Sequence, residues 1–201
     1  MSTLIAGAAG PLSSDITDIV RGMRRDAAFT TADTYADAME ALGAGGVELV
    51  IADLAMPGLT SLADIIQLLI RAGDARIVVL ADGMPEEMQE RLRLCGVAGL
   101  AARSAEPIWR TVAMVLRGGI AFPSTLAIPS ASMGPAAVRR PLSARQLRVL
   151  ADIVAGKSNR RIASDLALSP NTVKAHVSEV LRRLGVDNRA AAMAVARDGW
   201  G

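Results

Sequence analysis

Two lysines, Lys157 and Lys174, are the only ones in this chain of 201 residues, and both lie where cations alternate with small polar side chains. In SPNTVKAHVSEVLRRL, Ser169 to Leu184, helical spacing puts Asn171, Lys174, Ala175, Ser178 and Arg182 on one face, with Thr172, His176, Glu179 and Arg183 beside it. Cations separated by small residues let a backbone come close to a polyanion, so the chemistry offered is the binding of phosphates rather than the making of bonds. Enzyme classes find little support: no nucleophile with a base, no metal-ligand cluster and no phosphate-cradling glycine loop occurs. His176 is the single histidine and Cys95 the single cysteine, which leaves no metal site and no internal disulfide to build.

A phosphate-facing surface needs a helix gripped by its opposite side. Ser169 is a good N-cap, Pro170 fits the first helical position, and Val173, Val177, Val180, Leu181 and Leu184 recur at spacings of three and four. Just upstream, Lys157 to Leu166 predicts a shorter helix with Ile162, Ala163 and Leu166 inward, separated from Ser169 only by Ala167 and Leu168. Two helices so closely joined, the second basic outside, make a helix-turn-helix. A further helix is predicted over Leu142–Ala155, with Ser143 as N-cap and Leu147, Val149, Leu150 and Ile153 buried, and a last one over Arg189–Asp198.

The residue strings go further than the periodicity. L-S-x-R at Leu142–Arg145, GKSNRRIA at Gly156–Ala163, SPNTVKAHV at Ser169–Val177 and RRLGV at Arg182–Val186 together resemble the C-terminal DNA-binding domain of LuxR-type and NarL/FixJ-type regulators. The resemblance implies that Lys174, Ala175 and Ser178 meet base edges, with Lys174 able to pair with guanine. It places Lys157, Ser158, Asn159, Ser169, Asn171, Thr172, His176, Arg182 and Arg183 against the DNA backbone. It also implies that the last helix, with Ala190, Ala191, Ala192 and Val195, can form a dimer contact, although composition alone equally allows ordinary core packing. Gln146 and Arg161 stand where the family usually has glutamates, which bears on local stability more than on DNA binding.

The rest of the chain differs in charge and in texture. Residues 1–123 hold ten arginines against fifteen acids, a net −5, and residues 124–201 hold twelve cations against five acids, a net +7, which combine to the overall +2. A basic half carried on an acidic one suits a DNA-binding module attached to a control module. Apolar residues make up 51% of the chain but aromatics only 2%, so the cores must be built from Ala, Val, Leu and Ile. Strands are predicted at Thr3–Ala6, Ala27–Thr31, Val47–Ala52, Arg76–Leu80 and Val97–Ala101. Helices are predicted at Leu12–Met23, Ala32–Leu42, Leu62–Arg71, Pro85–Leu94 and Ala105–Arg117. Such alternation predicts an α/β fold, a doubly wound five-stranded parallel sheet, followed by an all-α helix-turn-helix unit of four helices.

Asp53 lies at the carboxyl end of the third of those strands, just after Ala52, in IADLAMPGLT, and D-L-x-M-P-G after such a strand is similar to the phosphoacceptor segment of response-regulator receiver domains. The resemblance implies a phosphoryl acceptor served by Mg²⁺, by an acidic pair after the first strand, by Ser or Thr after the fourth and by Lys after the fifth. Here those positions hold Ala8 and Ala9, Ala81, and Arg103, while Leu100 replaces the aromatic commonly found at its position. Mg²⁺ normally needs carboxylate oxygens in near-octahedral geometry, so its binding is expected to be weak or absent; Asp82 and Asp15 could lend a carboxylate, but their spacing does not match the family. Asp53 is therefore read as a vestigial acceptor, a strand-end carboxylate that caps a loop.

These observations divide the chain into a receiver-like domain over 1–121, a linker over 122–140 rich in Pro, Ser, Gly and Ala with a helical turn around Thr125, and a DNA-binding domain over 141–201. No cofactor is expected. The function read from the sequence is a dimeric, cytoplasmic, sequence-specific regulator of transcription that binds double-stranded DNA and is not controlled by conventional aspartate phosphorylation. A regulatory protein or small molecule would act at the receiver-like domain, and no apolar run is long enough for a membrane span. Two alternatives stand beside it: a phosphorylation-responsive two-component regulator using Asp53, and an interaction protein that sequesters another regulator.

Overall fold

A computed structural model describes residues 1–123 and 140–199. The turn expected around Thr125 and most of the expected linker lie outside the described residues. Five strands, β1 (Ser2–Ala6), β2 (Ala28–Ala32), β3 (Leu49–Asp53), β4 (Arg76–Leu80) and β5 (Gly99–Ala101), form one parallel sheet in the order β2-β1-β3-β4-β5. The interior strands β3 and β4 are apolar nearly throughout because both faces are covered, whereas the edge strand β2, AFTTA, exposes most of its residues. Helices α1 (Pro11–Met23) and α5 (Ala105–Leu116) cover one face with Ile16, Val20, Ile108, Val112 and Val115. Helices α2 (Tyr35–Gly43), α3 (Leu62–Ala72) and α4 (Glu86–Cys95) cover the other with Ala38, Ile65, Ile66, Leu69 and Leu92.

Most elements lie within two residues of their expected bounds, and two of the shifted starts have a clear local reason. The second helix begins at Tyr35 rather than Ala32, because Ala32 still pairs with Ala6 on β1 and because Thr34 and Asp37 close a capping box at the helix start. The fifth strand begins at Gly99 rather than Val97, whose N–H is held by the Leu92 carbonyl in the turn that ends α4. The linker expected from residue 122 also starts later. Ala121 bridges to Gly99, and Phe122 is fully buried in the core, so the chain is still part of the sheet half there.

The C-terminal part consists of α6 (Ala144–Val154), α7 (Asn159–Asp165), α8 (Pro170–Leu184) and α9 (Arg189–Arg197). Its core is Leu147, Leu150, Ile153, Ile162, Val173, Val180 and Ala192. Each helix starts at a side-chain cap: Ser143, Ser158, Ser169 and Asn188 accept the N–H groups of Gln146, Arg161, Thr172 and Ala191. In the turn between α7 and α8, Ala167 has φ 51, the one non-glycine positive φ among the described residues. This part packs on the sheet half through α3, which touches both α6 and α9, and the Leu142 N–H donates to the Leu94 carbonyl at 2.7 Å.

Candidate nucleic-acid interface

Helix α8 is fixed at both ends by its own sequence. Ser169 Oγ accepts the Thr172 N–H at 3.1 Å and pairs with the Thr172 hydroxyl at 2.8 Å, Pro170 opens the helix, and Gly185 closes it in the left-handed region at φ 70. Val173 and Val180 are fully buried and Val177, Leu181 and Leu184 half-buried, so the predicted stripe is the side that grips the module. On the other side Asn171, Thr172, Lys174, Ala175, Ser178 and Arg182 are exposed, with His176 and Arg183 half-buried. Thr172, Lys174 and Ser178, the residues a groove-entering helix must leave free, are outside the module's core.

The basic residues of this part fall into two groups. Arg145 donates to the Leu166 carbonyl, Arg197 to the Val154 carbonyl, and Arg189 to the Ile153 and Lys157 carbonyls, so three guanidinium groups answer carbonyls at or just beyond helix C-termini. Lys157 Nζ sits 2.7 Å from Asp152 and 2.9 Å from Asp165, tying α6 to α7; these carboxylates raise the pKa of Lys157, and its ammonium lowers that of Asp165. Arg183 reaches the Pro141 carbonyl and Gln146 Oε1, and Arg182 pairs with Glu179 at 2.7 Å, which lowers the Glu179 pKa. In the second group, Lys174, Arg160, Arg148 and Arg140 are exposed without an ion pair or side-chain hydrogen bond among the described residues. Arg160 was not singled out from the sequence, although the doubled arginine of KSNRRIA carried the signal.

The two positions that depart from glutamate have found other partners. Gln146 Oε1 accepts the Ser143 N–H at 2.9 Å and so closes a capping box that glutamate would also close. Arg161 pairs with Asp165 at 2.9 Å, one helical turn on.

At the carboxyl end of the sheet the geometry is different in kind. Asp53 is 4% exposed; its Oδ1 accepts the Ala55 N–H at 2.7 Å, which is the loop-capping contact the sequence suggested. Arg103 lies across the same carboxylate, with Nε 2.9 Å from both oxygens and Nη2 2.7 Å from Oδ1. Asp82 then accepts the Arg103 backbone N–H at 3.0 Å and Nη1 at 3.1 Å. Asp82 is pulled below its ordinary pKa by these bonds, and Arg103 is pushed up, chiefly by Asp53.

Where the acidic pair of a receiver would follow β1, the loop instead carries Gly7, Ala8 and Ala9. Gly7 has φ 77, and a Cβ there would lie 2.4 Å from Met56 Cβ, so this loop is closed onto an apolar residue rather than opened around a cation. The residues present do not suit Mg²⁺: the nearest carboxylate shares its charge with a guanidinium, and Asp82 turns to that same guanidinium. Leu100 is buried on β5, and Cys95 is buried at the end of α4, where desolvation pushes its thiol up to about 12.

Known proteins share both parts of this architecture. The family model described as "Bacterial regulatory proteins, luxR family" matches residues 140–196. The chain is 30% identical over 164 residues to the "Glycerol metabolism activator" of Pseudomonas putida, covering 76% of this chain and 74% of that protein. It is also 30% identical over 166 residues to the "Transcriptional regulatory protein UhpA" of Salmonella typhimurium, covering 82% and 81%. Among solved structures, RcsB from Salmonella enterica serovar Typhimurium, bound to promoter rprA in the presence of phosphomimetic BeF3⁻, superposes with a TM-score of 0.52 at 19% identity. That superposition covers 97% of this chain and 98% of RcsB, a likeness of fold.

Proposed function

The chain belongs to the response-regulator-type transcriptional regulators with a luxR-family DNA-binding domain, and from that premise we propose that it binds specific duplex DNA as a homodimer without control by phosphorylation of Asp53. In this reading α8 enters the major groove. Lys174, Ala175 and Ser178 read base edges, and Ser158, Asn159, Ser169, Asn171, Thr172, His176 and Arg182 follow the backbone. Arg160 joins the backbone group on exposure and charge. Lys157 and Arg183 contribute by holding helices together and by adding positive field, since their partners lie on other helices of the module, whereas Arg182 pairs only with Glu179 on its own exposed helix face. A homodimer is proposed because one such module buries little surface and reads a short half-site.

The observation that carries the second half of the proposal is Arg103 lying bidentate on Asp53. A phosphoryl donor would have to displace that guanidinium, and Mg²⁺ would have to bind beside it with Ala8 and Ala9 in place of carboxylates. Weak or absent Mg²⁺ binding follows, and input would come from a regulatory protein or small molecule instead. Genomic footprinting of the protein with and without acetyl phosphate and Mg²⁺ tests both halves. Protected inverted repeats, the same in the two conditions, are expected; a mass gain on Asp53 that tightens binding would return the protein to conventional phosphorylation control. No sequence preference at all would favour the sequestering role instead.

A further inference from the structure

A cavity of about 470 Å³, within the usual range of small-molecule sites, lies where the two halves meet, and neither half encloses it alone. Leu69 and Ile70 of α3 wall it on the sheet side, and Leu142 and Leu147 wall it on the side of the DNA-binding part. Three of these four are buried, so the body of the cavity is apolar and shielded. The single cysteine, Cys95, belongs to the same lining, at the end of α4. Helices α3, α4 and α6 meet here without filling the space, and an interface left open over apolar side chains forfeits contacts that an occupant would restore.

Two lining charges, opposite in sign and carried by opposite halves, specify that occupant. Asp74, just after α3, and Arg148, on α6, are both exposed, and neither has an ion pair or a side-chain hydrogen bond among the described residues. They share one cavity without pairing with each other. Arg145 also lines it but is held by the Leu166 carbonyl. On the side of Asp74, α3 and α4 both run out, and the carboxyl ends of two helices add negative character there. An ammonium is therefore favoured on the sheet side and a carboxylate on the α6 side, with an apolar body between. A fatty acid would leave Asp74 unanswered, and an alkylamine would leave Arg148 unanswered. We propose that this cavity binds a zwitterionic α-amino acid with a large apolar side chain, its ammonium at Asp74, its carboxylate at Arg148 and its side chain among the leucines and Ile70. Because each charge comes from a different half, the ligand binds the docked arrangement of the halves and favours it over the parted one. As an input to DNA binding, such a ligand rests on the phosphorylation-independent reading given above; as a binding site it stands without it.

The test uses the full chain with L-phenylalanine as the probe. Saturable one-to-one binding by calorimetry is expected, together with slower alkylation of Cys95 by N-ethylmaleimide, since the occupant covers the chain's one thiol. Phenethylamine, which lacks the carboxylate, and hydrocinnamate, which lacks the ammonium, should each bind about tenfold or more weakly, because one charge-assisted contact is lost. Glycine, which lacks the apolar body, should not bind measurably. Two variants cross this pattern. Asp74→Asn should weaken L-phenylalanine about tenfold and leave hydrocinnamate unchanged, whereas Arg148→Gln should weaken L-phenylalanine to the same degree and leave phenethylamine unchanged. Both side chains are exposed, so neither change disturbs a core. No saturable binding of L-phenylalanine, equal affinity for either single-charge analogue, or the parent's affinity in either variant would overturn the proposal. So would binding that leaves the alkylation of Cys95 unchanged, since the ligand would then lie elsewhere. Phosphorylation of Asp53 by acetyl phosphate would defeat the control reading while leaving L-phenylalanine binding untouched, so the two failures are distinguishable.

Discussion

Arg103 is hydrogen-bonded to Asp53 and Asp82 at once, whereas Lys174, a cation of equal charge, points outward from α8 with no partner among the described residues. The first lies at the carboxyl end of the sheet, and the second on the outward face of the second helix of the helix-turn-helix. In the strand-end cluster every ionic group is answered from within the chain, so the cluster contributes to stability and is poor at recruiting a ligand. On α8 the side chains of Asn171, Lys174 and Ser178 are left unanswered among the described residues, which contributes nothing to the fold and leaves them available to a polyanion. The contrast turns on whether a charge has an internal partner, and that can be tested at each site separately.

The largest expected effect is at the strand ends. Arg103→Ala should lower the stability of the sheet half by about 3 kcal/mol, because Asp53 would stay buried with only the Ala55 N–H to answer its charge. The figure is at the lower end for a buried pair because Arg103 is itself partly exposed. Urea denaturation would show it, and adding Asp53→Asn should restore much of the loss; a double variant no more stable than Arg103→Ala would break the assignment. Lys174→Ala should do the reverse. Specific DNA affinity should fall by about 1 to 3 kcal/mol with relaxed base preference, while the urea midpoint stays where it was. Equal losses on random and specific DNA would remove Lys174 from the base-reading group.

Two smaller effects sharpen the comparison. Ala167→Gly should stabilise the helix-turn-helix by about 1 kcal/mol, since glycine adopts a positive φ without the Cβ clash, and should leave DNA preference unchanged. Thermal denaturation of the two proteins measures it. The Asp82–Arg103 bond should show in pH dependence. Asp82 is lowered below its ordinary value of 3.8 in the folded chain, so its contribution is present above that value and fades as the pH falls below it. The melting temperature of Asp82→Asn should therefore lie slightly below that of the parent at neutral pH and converge with it in acid. The difference should correspond to less than about 1 kcal/mol, because Asp82 is exposed and screened by solvent.

Much of this was readable from the sequence wherever the signal is local. RIVVL gave β4 its bounds, Ser169-Pro170 gave α8 its start, and valines at helical spacing gave its buried side. Boundaries set by a competing partner were missed, as at Ala32, which periodicity assigned to a helix and β1 holds in the sheet. The polar contacts across the chain were least legible. Asp53 and Arg103 are fifty residues apart, so Arg103 read as a lost lysine rather than as a clamp. The ion pairs of Lys157 were not legible either, because its partners, Asp152 and Asp165, lie on two different helices brought together only by the fold.

The seat of α9 on α3 has a bearing on how two such chains would associate. A pair of modules joined through α9 would have to lift that helix away from α3 wherever the two contacts overlap. Self-association and the parting of the two halves would then be a single linked equilibrium. Whatever loosens α3 would raise the tendency to pair, and an operator with two well-spaced half-sites would pull the same balance from the other end.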